Sequence, residues 1–281
     1  MKHRRDPLSM LLGGLVRLAA ATAALIILFL VGYILYKGVP NLTPSLFSWK
    51  YNSENVSLVP ALINTVIMTV LALLIAGPIG IFSAVYLSEY ARRGSKLVKV
   101  IRMASEVLTG IPSIVYGLFG LLFFVSTMKW GYSLLAGTFT LTIMILPLIM
   151  RTTEEALLSV PDAYREGSFG LGAGRLRTVF AIVLPAAVPG ILAGVILAIG
   201  RIVGETAALI YTAGTTPEVP SSLFKSTRTL SVHMYALSSE GLYINQTYAT
   251  AVVLLALVLI INACSSWLAK RMGEENMEKI K

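Results

Sequence analysis

Arg201 and Glu205 stand in Gly200-Arg-Ile-Val-Gly-Glu-Thr206, inside an apolar stretch running from about 186 to 211. A guanidinium at the centre of a bilayer costs roughly 2.5–3.5 kcal/mol on an insertion scale, and a carboxylate a comparable amount. Two such groups therefore need shielding. On a helix, residues four apart share a face. The sequence leaves two readings open. The two charges form a structural ion pair that fixes helix packing, or they line a route along which a charged solute passes. An arginine stays charged at any working pH and offers forked donors matched to an oxyanion, so on the second reading the solute is an anion. Gly200 and Gly204 would let another helix approach closely. Arg151 closes a further apolar stretch, either as a snorkelling anchor or as a cationic contact at the mouth of the route.

Other chemistry is excluded by what the chain lacks. There is no Gly-Lys dipeptide, hence no phosphate-binding G-x4-G-K-[ST] loop, and there is no G-x-S-x-G or H-E-x-x-H. His3 and His233 are too far apart to suggest a metal cluster and read as solvated surface residues. Cys264, the single cysteine, rules out an intrachain disulfide. The sequence calls for no cofactor, no metal and no catalytic residue of its own.

The elements that hold these residues are apolar spans. The chain has 281 residues, 56% hydrophobic and 13% charged, with mean hydropathy +0.78. That composition lies outside the soluble range. Six stretches of about 20 apolar residues predict an all-α polytopic membrane protein, with spans at about 15–36, 61–88, 105–127, 132–150, 186–211 and 247–269. Gly77-Pro78-Ile79-Gly80 predicts a kink in the second. The first span is too long for a signal peptide and reads as an uncleaved anchor. With the N-terminus inside, 17 Lys and Arg fall on the cytoplasmic side and five outside. The net charge of +9 is thus explained by topology and requires no nucleic acid. Residues 1–14 form a cytoplasmic N-terminus, 15–60 the first span and external loop, 61–269 the main transmembrane unit, and 270–281 a cytoplasmic tail. The external loop 212–246 reads either as a plain polar loop or as carrying a short amphipathic segment from Leu223 to Leu237.

Between the fourth and fifth spans lies a glycine-rich basic loop, 151–185. Ser159-Val-Pro-Asp162 predicts a capping box opening a short helix, which Gly167, Gly170, Gly172 and Gly174 make hard to extend. Tyr164 and Phe169 would project as knobs. The spacing of Glu166, Gly172, Ile182, Leu184 and Pro185 resembles the coupling loop of ABC importer permeases, E-A-A-x3-G-x9-I-x-L-P. Gly167 and Ser168 replace its two alanines. Stretch 146–211 resembles more closely the phosphate-specific permeases, the PstA-type subunit, at Arg151-Thr-Thr-Glu-Glu-Ala-Leu157 and Arg201-Ile-Val-Gly-Glu-Thr-Ala207. The likeness is weaker over 61–269 and does not inform the first 50 residues.

The resemblance implies a type I, MetI-like permease fold in a prokaryotic inner membrane, both termini cytoplasmic. It implies an ATP-driven importer of phosphate in which this chain hydrolyses nothing. Arg151, Arg201 and Glu205 would serve the substrate pathway. Tyr164, Glu166, Gly167, Ser168 and Gly172 would form the coupling helix that docks on an ATPase dimer. The further partners implied are a second, homologous permease and an extracytoplasmic phosphate-binding protein. Two alternatives remain at this stage. One is a permease for molybdate or sulfate; the other is a stand-alone secondary transporter with Arg201 and Glu205 as an ion relay.

Overall fold

The computed structural model describes residues 7–92 and 94–278, so Lys2, Arg4 and Arg5 of the predicted N-terminal charge cluster lie outside the described residues. The described chain is helical. Long apolar runs in lipid must satisfy every backbone group internally, which the α-helix does. Helix α1 is Pro7–Gly38, α2 Val59–Val85, α5 Leu134–Leu158, α8 Leu184–Val203 and α11 Ile244–Glu278. Short π-helical turns extend α2 to Tyr90 and join the small helix α7 (Arg175–Thr178) to α8. Five helices among the described residues are long and apolar enough to cross a membrane, and a bent pair makes a sixth.

That pair corrects the expected third span. Instead of one helix over 105–127, the chain forms α3 (Lys96–Gly110) and α4 (Ser113–Gly120, continued by a π turn to Thr127), bent by 101°. Pro112 is the physical reason. It removes a backbone donor and pushes Ile111 out of the helical region, to φ −71° and ψ 131°. Pro78, by contrast, is carried inside a continuous α2.

The central packing joins α2, α5 and α8. Met68, Ala72, Leu141, Ile145, Ile149, Ala198 and Ile202 form its buried centre. Small residues set the helix spacing. A Cβ on Gly80 would lie 2.9 Å from Ile149 Cγ2, and one on Gly190 2.7 Å from Ala156 Cβ. At Gly194 a Cβ would fall on the Thr152 hydroxyl. The expected close approach at Gly200 and Gly204 does not occur within this chain: only Gly200's own carbonyl lies within 4 Å of a Cβ built on Gly204. The glycine pair that packs α8 on α5 is 190 and 194, ten residues earlier. Helix α1 stands outside this bundle and packs on α11, crossing where Gly38 meets Tyr248 and Val252.

The loop over 212–246 also departs from expectation. Its helix is α10, Leu230–Glu240, and Leu230, Val232, His233, Ala236 and Leu237 are buried in it. It therefore does not lie on the surface as an amphipathic segment, and His233 is not a solvated residue. The pattern of α10 is set by packing against α11, α2 and α9 (Ala207–Ile210), which hydropathy alone does not reveal.

Candidate functional sites along α5 and α8

Helix α6, Asp162–Gly170, forms where the short helix is expected but starts differently. Ser159 does not cap it. Its hydroxyl donates to the Ala156 carbonyl (2.7 Å) and so ends α5. Asp162 accepts instead from Arg165 Nη1 (3.3 Å). The helix absorbs Gly167 and Gly170. It stops at Gly172, whose φ of +81° lies in the left-handed region. There Ala173 N–H donates to the Ser168 carbonyl (3.1 Å) and Gly172 N–H to the Phe169 carbonyl (2.9 Å). This is a Schellman motif, and a glycine at that position is its cheapest solution.

The helix has two faces. Tyr164, Glu166, Gly167, Phe169 and Leu171 are exposed, Leu171 by 91%. Leu176 and Phe180 add further exposed apolar surface alongside. Ser168 points inward, its hydroxyl 2.8 Å from that of Thr178, and so ties α6 to α7. Arg165 also points inward. Its Nη2 and Nε reach the two carboxylate oxygens of Glu89 at 2.6 and 3.3 Å, and it donates to the Val160 and Leu157 carbonyls at 2.8 and 2.9 Å. The bond to Glu89 raises the guanidinium pKa against the opposing effect of burial. Arg175 Nη2 donates to the Glu89 carbonyl, and its guanidinium lies over the Tyr90 ring at 5.2 Å. Glu89 thus anchors α6 to the end of α2. Sequence reading missed it because its partner is 76 residues away. The only available signal was a carboxylate closing an apolar run.

Arg151 lies within α5, two turns before its end. Its Nε is 3.0 Å from Glu155 Oε1, a half-exposed i,i+4 pair of the kind worth about 0.3–0.5 kcal/mol. Beside it Arg102 Nη2 is 2.5 Å from Glu154 Oε1. These pairs line a cavity of about 280 Å³ together with Ser105 and Glu106. Each arginine there already has a carboxylate.

Arg201 and Glu205 are separated by the end of α8. The helix closes at Val203, Gly204 caps it, and the next helical turn is α9, Ala207–Ile210. Glu205 is buried. Its Oε1 accepts from Ala208 N–H (3.0 Å), and its carbonyl accepts from Ser231 Oγ (2.6 Å). The helix ends between the two residues, and no salt bridge joins Arg201 to Glu205. Among the described residues the ion pairs involve Arg102, Arg151 and Arg165 only. Arg201 sits in the last turn of α8, where the helix dipole favours a cation. Ile202 next to it belongs to the same buried cluster as Met144 and Ile145, half way along α5, so the break at Gly204 adjoins the buried centre of the bundle. From the level where Gly194 meets Thr152, seven residues of helix carry Arg201 roughly 10 Å further along the axis. Arg151, beside Thr152, and Arg201 thus stand at different depths of the same helix pair.

A family model described as "Binding-protein-dependent transport system inner membrane component" matches residues 76–274. The probable ABC transporter permease protein YqgI of Bacillus subtilis (strain 168) is 36% identical over 274 residues, covering 91% of this chain and 92% of that one. The phosphate transport system permease protein PstA of Pasteurella multocida (strain Pm70) is 43% identical over 192 residues, 66% and 68% of the two chains. Among solved structures, a chain of a bacterial alginate ABC transporter in complex with alginate pentasaccharide-bound periplasmic protein superposes with TM-score 0.64 at 18% identity, over 96% of this chain and 99% of that one.

Proposed function

Since the chain belongs to the family of binding-protein-dependent transport system inner membrane components and is a multi-pass permease subunit of an ABC importer, we propose that its cargo is inorganic phosphate. The observation that carries this reading is Arg201. It is a permanent cation at a helix break adjoining the buried centre of the bundle, and no carboxylate of the described chain is salt-bridged to it. Broken helices at membrane depth are where transporters expose backbone and side chains to solute. A guanidinium there presents the forked donors that phosphate oxygens fit. The phosphate permease among the relatives supports the choice of anion.

In this reading 61–269 is the transport unit, and the loop 151–185 faces the cytoplasm. Tyr164, Glu166, Gly167 and Phe169 offer the surface that an ATPase dimer grips, while Ser168 and Gly172 hold its shape. A second, homologous permease completes the pathway, and a soluble phosphate-binding protein delivers the anion at the opposite end. Arg151 and its neighbouring pairs line the inner mouth. The test is radiolabelled phosphate uptake by cells carrying the intact system. Uptake should depend on ATP and resist excess sulfate or molybdate. Competition by either would reassign the cargo, and uptake driven by a proton gradient without ATP would make the protein a secondary transporter.

Orientation has its own test. In a Cys264→Ala background, cysteines at Ser53 and Ser238 should react with an impermeant reagent from outside, and those at Ala163 and Leu171 only after the membrane is opened. All four sites are exposed in the fold, so burial cannot mimic the result. External labelling at Leu171 would contradict the cytoplasmic placement of α6.

A further inference from the structure

At the end of the molecule remote from α6, the loop 215–229 is clasped onto α2. Asn64 Nδ2 donates to the carbonyls of Glu218 (3.1 Å) and Arg228 (3.2 Å), Thr65 Oγ1 accepts from Leu230 N–H (2.8 Å), and Thr227 Oγ1 donates to the Glu218 carbonyl (3.3 Å). The clasp buries Arg228 to 4% exposure. Its guanidinium lies 4.9 Å from the centre of the Tyr51 ring, the Tyr51 hydroxyl approaching it without full hydrogen-bond geometry, and Nη1 donates to the Thr215 carbonyl at 3.4 Å. Nε and Nη2 are buried with no hydrogen-bond partner. His233 meets the same Tyr51 ring edge-on at 6.2 Å and is fully buried. Neither of its nitrogens has a partner, the Val56 backbone approaching without hydrogen-bond geometry. Burial and the Arg228 charge push its pKa down to about 3, so the ring is neutral, with one donor and one acceptor unspent.

A buried cation with an unpaired fork is expensive to keep. Stranded donors cost about 1–3 kcal/mol each, more when charged, and folds place buried charges beside partners. Here no carboxylate of the described chain forms a salt bridge with Arg228. The unspent Nε–Nη2 edge is the edge that clasps two oxygens of one oxyanion. On the outer side of the same loop lies a cavity of about 330 Å³ lined by Thr216, Ser221, Lys225 and Ser226, and by Glu218 of the clasp. The cavity exposes Lys225 to solvent, and neither Arg228 nor His233 is among its lining residues.

We propose that Arg228 and His233 form an outer oxyanion subsite, which takes the anion after it enters beside Lys225 and before it reaches Arg201. The proposal rests on the phosphate reading for the identity of its ligand, but not for its existence. Loosening of the Glu218–Thr227 contact opens the cavity onto the guanidinium. The bound anion then meets the fork of Arg228 and the neutral imidazole of His233, and hydrogen phosphate, itself donor and acceptor, can satisfy both.

The assembled transporter, purified without its soluble binding protein, provides the test. The unfolding midpoint is measured against inorganic phosphate, sulfate and molybdate, since a ligand of the folded state stabilises it by mass action. An Arg201→Gln background removes the deeper site. There phosphate should still raise the midpoint, and adding Arg228→Gln should abolish that rise. Arg228→Lys, which keeps the charge and loses the fork, should weaken the apparent affinity about tenfold or more. A rise with sulfate or molybdate instead of phosphate, lost with Arg228→Gln, would keep the subsite and overturn the phosphate reading. A phosphate-dependent rise that survives Arg228→Gln, or no rise with any anion, would overturn the subsite. So would failure of both Arg228 variants to assemble, since that assigns the guanidinium to structure alone.

Discussion

Gly172→Val should reduce ATP-driven uptake about tenfold or more while the protein still reaches the membrane in normal amount. A non-glycine residue in the left-handed region costs roughly 1–2 kcal/mol, and a β-branched one is a genuine outlier there. A factor of ten corresponds to about 1.4 kcal/mol, so the strain alone suffices if docking requires this backbone. Gly172 has no atom within 4 Å of its would-be Cβ, which means that the substitution meets no clash inside the chain. The effect must come from the backbone or from a partner. Gly172→Asn separates the two, because asparagine tolerates the left-handed conformation. If the Schellman turn is what matters, Asn retains most uptake. If the partner sits against Gly172, Asn fails as Val does. The same assay tests the anchor beneath. Glu89→Gln leaves Arg165, a largely buried guanidinium, without its counter-charge, and breaking a buried pair in this way is strongly destabilising. Uptake, membrane abundance and ATPase co-purification should be read together. Normal uptake in Gly172→Val would remove the coupling role from this turn.

The parts legible in the sequence were those written in local pattern. Five spans follow from apolar length alone, because lipid enforces helix wherever such a run occurs. The run of glycines after Glu166 marked a short helix but not its stop: Gly167 and Gly170 are absorbed, and Gly172 ends it. Other features had a local signal that a stronger one masked. Pro112 marks the bend between α3 and α4 plainly, but the hydropathy of 105–127 is continuous and does not respond to a single proline. Gly204 likewise ends α8 inside an apolar stretch. That break separates Arg201 from Glu205, although their i,i+4 spacing suggests a pair. The contacts that were not legible are tertiary. Nothing near Glu89 names Arg165, and nothing in the polar composition of 212–246 shows that Arg228 and His233 are buried under Tyr51. Gly190 and Gly194 read no differently from Gly200 and Gly204. Only the partner helix decides which pair is used.

Arg201→Gln should lose phosphate uptake by about 10²-fold, the scale of removing one preorganised donor from a charge-stabilising site, at unchanged protein level. An anion crossing the low-dielectric bundle needs a cation along its way, and Arg201 is a basic residue in the last turn of α8, next to the buried Ile202. Arg201→Lys should recover only part, since a point ammonium lacks the planar fork. The geometry sharpens what Glu205 does in this argument. Were the two residues a structural pair, each single change would lower abundance and the double change to Gln would restore both abundance and transport. Glu205 instead accepts from Ala208 N–H, and its carbonyl accepts from Ser231. A glutamine at 205 can still accept the first bond and leaves the second untouched. Glu205→Gln should therefore keep the fold and much of the transport, and the double variant should be as deficient as Arg201→Gln alone. Uptake and membrane level measured for the two singles and the double distinguish these outcomes. Full transport in the double variant would mean that the charges serve folding only.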